Sequence, residues 1–94
     1  MTNQKLKSII EQKQNVKIKL SSYKCWGFEG YASAKGLGGE CEQGEAFGQR
    51  TRHQATKAAL IDLARQYGMD DLASEVSNDN KRINDIDFKI RTNN

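Results

Sequence analysis

The stretch Gly44–Gly68, GEAFGQRTRHQATKAALIDLARQYG, is the only long segment of the chain with both a clear start and a clear end. Thr51 stands where a helix N-cap is expected, and Gln54 follows at the three-residue spacing of a capping box. Gly68 supplies the left-handed residue that often ends a helix. The sequence therefore predicts a helix that begins after Thr51 and ends before Gly68.

This helix has one apolar face. Ala55, Ala59, Leu63 and Tyr67 recur every four residues, so they lie on the same side of the helix. We expect this side to be the scaffold against which the strands of the fold pack.

The start of the same helix is rich in positive charge. Arg50, Arg52, His53 and Lys57 surround its first turns, where the helix dipole favours negative charge instead. Free backbone amides beside arginine side chains are suited to phosphate. Two interpretations stay open: a phosphate clamp, or a solvated helix end without a ligand.

The spacing of apolar residues predicts a helix and a strand in the N-terminal part of the chain. Residues from about Asn3 to Gln14 have the pattern of a short amphipathic helix. Val16 to Ser21 alternates apolar and polar residues as a half-buried strand does, and Ser22 and Tyr23 are interpreted as the turn after it.

A second strand is predicted from Lys24 to about Lys35. Its apolar residues of one parity are Trp26, Phe28, Ala32 and Ala34. Gly30 between them is expected to allow a neighbouring element to approach closely.

A glycine-rich loop, Gly36–Gly39, is predicted next, followed by a third strand over Glu40–Phe47. Phe47 is expected to anchor this strand in the core. After the long helix, Asp70–Val76 predicts a short helix and Ile86–Ile90 a last strand.

The predicted fold is a single α+β domain over residues 1–94. A three- to four-stranded antiparallel sheet packs on one long helix and an N-terminal helix, in the order α-β-β-β-α-α-β. Ninety-four residues with 36% apolar and 29% charged residues are typical of one globular domain. We see neither a membrane-spanning run nor a signal-peptide pattern, so the cytoplasm is the expected location, or the host cytoplasm if the protein is phage-encoded.

The formal net charge is +3, and its distribution is uneven. Lysines dominate the first 24 residues, acidic residues precede the long helix, and basic residues return at its start. This is a mild electrostatic footprint for a polyanion. If Glu40, Glu42 and Glu45 fold back onto Arg50 and Arg52, the arginines form an internal cluster instead.

Enzymatic and metal chemistry find little support in the sequence. One histidine and two distant cysteines, Cys25 and Cys41, cannot supply a four-ligand zinc site of the usual spacing, and no metal or other cofactor is expected. A cysteine working with His53 is conceivable but nothing places the two together. The glycines of Gly36–Gly39 lack the residues of a phosphate-binding loop. The protein is therefore predicted not to be an enzyme.

A nucleic-acid interface is the better-supported hypothesis. Lys17 and Lys19 add a basic row on the first strand, and the N-terminal helix adds polar side chains for further contacts. The full set of candidate nucleic-acid-binding residues is Arg50, Arg52, His53, Lys57, Lys17, Lys19, Gln4, Ser8 and Gln12.

The order helix, three strands, helix with a basic start resembles the double-stranded RNA-binding domain. The matching residues are GEAFGQRTRHQATKAALIDL, Gly44–Leu63, and the similarity covers about Asn3 to Gly68. The resemblance implies that Arg50, Arg52 and His53 hold phosphate with support from Lys57. It also implies that Gln4, Ser8 and Gln12 read the minor groove. The loop after the first strand lacks the Gly-Pro-x-His element of that family.

A second resemblance is compositional. A small, proline-free chain rich in Asn and Gln looks like phage accessory proteins, some of which are anti-CRISPR inhibitors. The predicted function is therefore non-enzymatic recognition of nucleic acid, RNA more than DNA, or of a nucleoprotein complex. The alternative is an inhibitor that blocks a host RNA-guided complex mainly through protein contacts.

Overall fold

The structure, a computed structural model, describes residues 1–77. Three antiparallel strands form a sheet in the order β1-β2-β3, and the helices pack on one of its faces. The elements are α1 (Asn3–Gln14), β1 (Val16–Lys24), β2 (Phe28–Gly36), β3 (Cys41–Gln49), α2 (Arg52–Gln66) and a third helix, α3, over residues 70–77. This order confirms the predicted α+β class, whereas the predicted strand Ile86–Ile90 lies outside the described residues.

The long helix has the predicted ends. The Thr51 hydroxyl accepts the backbone N–H of Gln54 at 3.1 Å, as an N-cap does. Gly68 has φ +74° and donates its N–H to the Arg65 carbonyl at 3.0 Å. Thr51 and Gly68 define the two ends of α2 because each forms a hydrogen bond with a backbone group that has no partner within the helix.

Side-chain alternation divides the sheet into an inner and an outer face. Ile18, Ala32, Ala34 and Ala46 are buried against the helices. The residues between them in each strand point the other way, since successive strand residues alternate faces. We call this second face, which no described helix covers, the open face.

Small residues let α2 lie directly on the sheet. A Cβ atom added at Gly44 would come within 2.7 Å of the Leu63 backbone nitrogen, and one at Gly30 within 2.9 Å of the Thr56 nitrogen. The expected close approach at Gly30 is thus confirmed. The predicted apolar face of α2 is buried at Ala55, Ala59 and Leu63, all with 0% exposure.

The turn between the first two strands is displaced from its predicted place. Ser22 and Tyr23 lie inside β1, where they pair with Gly30 and Glu29. The Ser22 hydroxyl donates to the Glu29 carbonyl at 2.9 Å, which favours continued pairing over a turn.

The turn is formed instead by Cys25, Trp26 and Gly27. Trp26 and Gly27 both have positive φ, 51° and 101°. Trp26 is 98% exposed at the tip and does not share the buried face of Phe28, so that part of the prediction is wrong.

Phe47 is also not the predicted core anchor. It is 57% exposed and meets the ring of Tyr31 edge-on, with 6.1 Å between centroids. The buried positions of β3 are Gly44 and Ala46, which have the opposite parity. Because α2 lies so close to the sheet there, no room remains for an aromatic ring on the inner face.

Side chains from the helices form hydrogen bonds with both edge strands of the sheet. On β3, Asp62 accepts the Glu45 N–H at 2.9 Å and Gln66 donates to the Gln43 carbonyl at 2.7 Å. On β1, a carboxylate oxygen of Glu11 accepts the Ile18 N–H at 2.9 Å. Such contacts occupy groups that would otherwise pair with a strand of another chain.

Candidate nucleic-acid interface

Arg50 is the most available cation at the start of α2. It is exposed, and within residues 1–77 it makes no hydrogen bond or ion pair. It lines a small hollow of about 230 Å³ together with Gly48 and Gln49. The first turn of α2 contains no acidic residue, so nothing in that turn offsets the positive end of the helix dipole.

Arg52 is docked on the fold. Its Nη1 donates to the Ser22 carbonyl at 3.0 Å, and its guanidinium lies 5.5 Å from the centroid of the Phe28 ring. This cation–π contact and hydrogen bond hold the group in place at the β1 edge. A guanidinium has five N–H donors, so most of them stay available to a ligand.

His53 and Lys57 connect α2 to the N-terminal segment. The Asn3 amide nitrogen lies 3.4 Å from Nδ1 of His53 and donates to the His53 carbonyl at 3.2 Å. Lys57 is only 8% exposed, and its ammonium donates to the Met1 carbonyl at 2.9 Å. Lys57 therefore serves packing in this structure, while His53 remains exposed beside the start of α1.

The three predicted α1 residues lie on one exposed side of the helix. Gln4, Ser8 and Gln12 are four residues apart, which places them in a row along the helix axis. Ser8 and Gln12 line a shallow groove of about 390 Å³ that also includes Lys17 at the start of β1 and Glu11, whose carboxylate accepts the Ile18 N–H. We call this row, with His53 and Arg50 at one end and Lys17 at the other, the α1 strip.

Lys19 lies apart from this strip. It is exposed on the open face of the sheet, where it pairs in register with Ser33. Lys17 itself is five residues along β1 from Ser22, the contact of Arg52, which is about 17 Å. The structure therefore brings Lys17, but not Lys19, beside the end of α1, and it brings neither lysine to the start of α2.

The acidic residues before α2 do not neutralise the arginines. Among the described residues, no ion pair joins Arg50 or Arg52 to Glu40, Glu42 or Glu45. Glu40 lies at the other end of β3, where its carbonyl accepts the Gly36 N–H at 2.9 Å. The internal-cluster alternative is therefore not the arrangement found.

The cysteines are exposed free thiols at opposite ends of the sheet. Cys25 lies in the β1–β2 turn, whereas Cys41 pairs with Lys35 near the start of β1. Over residues 1–77, no hydrogen bond joins either thiol to His53 and no cluster of three metal-ligating side chains forms. No helix in the same range is long and apolar enough to cross a membrane.

The exposed aromatic side chains were not among the residues predicted for the site. Tyr23, Tyr31 and Phe47 form a row across the three strands on the open face, next to the exposed Trp26 turn. The available signal was parity: if β1 continues to Lys24, Tyr23 falls on the same face as Lys17 and Lys19. Because a turn was predicted at Ser22 and Tyr23, Tyr23 was not assigned to a face of the sheet.

The chain was compared with known protein families, with curated proteins and with solved structures, and none of them matches it. The interface is therefore interpreted from its own geometry and chemistry.

Proposed function

We propose that this protein is a non-enzymatic binding protein that recognises RNA, preferably a duplex, through the α1 strip and the start of α2. The proposal keeps the resemblance to the double-stranded RNA-binding domain, whose helix-strand-strand-strand-helix order the fold shares. In this proposal Arg50, Arg52 and His53 contact the RNA phosphates, and the polar residues of α1 contact the RNA groove.

The α1 strip is the observation that carries this proposal. Twelve residues of α1 span about 18 Å, and basic side chains lie at both ends of that span. A row of uncharged polar side chains between two cationic ends suits a regular polyanion with a groove between its phosphates.

The chemistry of the strip favours RNA over DNA. Gln4, Ser8 and Gln12 offer amide and hydroxyl groups, which can donate to and accept from ribose 2′-hydroxyls in a shallow minor groove. The Ser8 hydroxyl donates to the Gln4 carbonyl of its own helix at 3.0 Å, so it keeps its acceptor capacity for a ligand.

A salt titration of duplex RNA binding tests the proposal. The logarithm of the binding constant should fall linearly with the logarithm of salt concentration, because phosphate contacts release counterions. Arg50→Ala should weaken binding and make this slope shallower by about one unit. Arg50 is the suitable site because it has no partner within residues 1–77, so its removal leaves the fold intact.

The matched control is Arg65→Ala. Arg65 is exposed on the same helix but lies in its last turn, at the opposite end of α2 from Arg50. Its removal makes the same change in net charge and should leave the slope unchanged. Equal effects of the two substitutions, or no binding to any duplex at low salt, would contradict the proposal.

A second candidate is docking on a nucleoprotein complex, as a phage-type inhibitor does. It is favoured by the exposed carboxylates of Glu40, Glu42 and Glu45, which have no cationic partner among the described residues. Such an acidic strand can face a basic protein subunit while the α1 strip meets RNA. Binding to an assembled ribonucleoprotein in the absence of binding to its free RNA would favour this candidate.

A further inference from the structure

The open face of the sheet has two halves of unlike chemistry. One half, the lysine half, carries Lys17, Lys19 and Lys35, with Lys17 and Lys35 directly paired across the strands. The other half, the aromatic half, carries the side chains of Tyr23, Tyr31, Phe47, Glu29 and Glu45.

The aromatic half forms a continuous ring surface with a net negative charge. Tyr31 meets Tyr23 and Phe47 edge-on at centroid distances of 5.9 and 6.1 Å. Its hydroxyl donates to a Glu29 carboxylate oxygen at 2.9 Å. This hydrogen bond, with a smaller contribution from the charge of Glu45, raises the pKa of Tyr31 above its ordinary value. Within residues 1–77, neither carboxylate has a cationic partner.

The lysine half is hollow and positively charged. A shallow depression of about 520 Å³ lies over it, and its walls include all three lysines and a single acidic residue, Glu42. Lys17, Lys19 and Lys35 form no ion pair with another described residue. The face therefore has a net negative aromatic half and a net positive half with a depression, side by side.

We infer that the open face binds a second copy of this chain through a two-fold axis that lies between the two sheets and runs across the strands. A two-fold interface places the same patch of both copies face to face, so it has to be self-complementary. A surface with two unlike halves is self-complementary only if the two-fold rotation places the lysine half of one copy over the aromatic half of the other.

This axis exchanges the halves in register. Each strand stacks on the same strand of the other copy, running in the opposite direction. The centres of the two strands therefore face each other, and the first half of one strand faces the second half of the other. Lys17 then lies over Tyr23 of the other copy and Lys35 over its Glu29. A lysine over an aromatic ring and a lysine over a carboxylate are both attractive contacts.

The other simple two-fold arrangement is disfavoured by charge. An axis parallel to the strands would superimpose the central strand β2 on its own copy without exchanging its ends. Lys35 would then face Lys35, and Glu29 would face Glu29, which is repulsive at both ends. Charge therefore selects the axis across the strands.

Other occupants use only part of the face. A single-stranded nucleic acid could stack on the rings, but the carboxylates of Glu29 and Glu45 would repel its phosphates. A basic peptide would suit the aromatic half and leave three lysines without a partner. The second copy is the occupant that complements both halves.

The face is small, so the association is expected to be weak. Nine-residue strands measure about 30 Å in length, and three of them are about 15 Å wide. The buried surface would fall below the size of standard interfaces, so we expect a dissociation constant in the micromolar range. The α1 residues of the strip lie outside this interface, whereas Lys17 belongs to both surfaces and is covered in the dimer. The inference does not depend on the proposed function.

The test is a charge-exchange cycle on the full chain, read by sedimentation equilibrium over about a hundredfold range of concentration. Lys35→Glu and Glu29→Lys should each weaken self-association by about tenfold, because each creates two repulsive pairs per dimer. The double variant Lys35→Glu, Glu29→Lys has the original net charge and should associate within about threefold of the unmodified chain. An equimolar mixture of the two single variants should also associate more strongly than either alone.

A control separates this interface from general charge effects. Lys5→Glu makes the same charge change on α1, away from the open face, and should not alter self-association. A chain that is monomeric over the whole range would overturn the inference. A double variant as weak as the single variants would overturn it too, as would capture of single-stranded RNA or a basic peptide by the open face of a monomer.

Discussion

At the scale of single residues, two glycines decide how closely helix and sheet approach. Gly44 and Gly30 lie where the backbone of α2 meets the sheet, and each has backbone atoms where a Cβ would be. The apolar surface buried between these layers is contributed largely by alanines, so the close approach itself provides much of the packing.

Gly44→Ala should therefore be strongly destabilising. The added methyl group would meet the Leu63 nitrogen at 2.7 Å, so α2 would have to move. We expect a loss of about 3 kcal/mol or more in the free energy of unfolding, measured in urea. Gly38→Ala is the control, since its methyl group would meet only the flexible side chain of Glu40. Equal stability of the two variants would show that the close approach of α2 to the sheet does not exclude a side chain at position 44.

Trp26 is held in a backbone conformation that its type disfavours. It has φ 51° and is 98% exposed, so its side chain makes little packing contact that could offset this conformation. A left-handed conformation costs a non-glycine residue about 1 kcal/mol or more.

Trp26→Gly should consequently be more stable than Trp26→Ala by about 1 kcal/mol, because only glycine removes the steric cost. Both variants lose the indole, so the difference in their stability reports the steric cost of the left-handed backbone alone. Thermal unfolding of the two chains measures it. A more stable alanine variant would mean that the turn does not hold this conformation in solution.

At the scale of elements, α2 both covers the sheet and closes its edge. Asp62 and Gln66 lie one turn apart, and their side chains also bond each other at 3.1 Å. Together they present an acceptor and a donor to β3, as a neighbouring strand would. An amphipathic helix thus reduces the hazard of an unpaired edge.

Asp62→Ala should free the Glu45 amide. We expect faster hydrogen exchange at this amide and a loss of about 1 kcal/mol in stability, since a hydrogen bond to a charged acceptor is removed. Asp62→Asn keeps an acceptor oxygen at the same place and should protect the amide better than alanine does. An unchanged exchange rate in the alanine variant would contradict the edge contact.

The elements themselves were largely predictable because their signals are local. Caps, periodicity and glycines located α1, α2, α3 and the loop Gly36–Gly39. The turn after β1 was not predictable from composition, since the left-handed pair is Trp26-Gly27 and Trp is not a usual turn residue. Placing the turn early also moved Tyr23 off the open face.

The candidate site was predictable only in part, because burial and long-range contacts are tertiary properties. Lys57 has the spacing of a surface cation, yet it is buried under the Met1 carbonyl. Arg52 was predicted to hold phosphate or to lie at a solvated helix end, yet its guanidinium contacts the Ser22 carbonyl and the Phe28 ring. Arg50 retained the expected exposure, and it lies before the first residue of α2.

At the scale of the whole molecule, the fold separates two surfaces. The helical side carries the α1 strip, with basic groups at both ends of an 18 Å span of about three turns. The opposite side carries the open face with its lysine and aromatic halves. A dimer through the open face would display two α1 helices pointing away from each other, while the Lys17 side chain of each copy would lie in the dimer interface.

The most direct measurement of the central claim is an NMR titration of the labelled chain with a duplex RNA of about 16 base pairs. The account predicts that amide signals shift at Gln4, Ser8, Gln12 and Arg50–His53, while those of Gln43 and Glu45 on β3 stay in place. It also predicts that the shifts shrink as salt is added. Shifts confined to the open face, or none at low salt, would contradict the proposal that the α1 strip binds RNA.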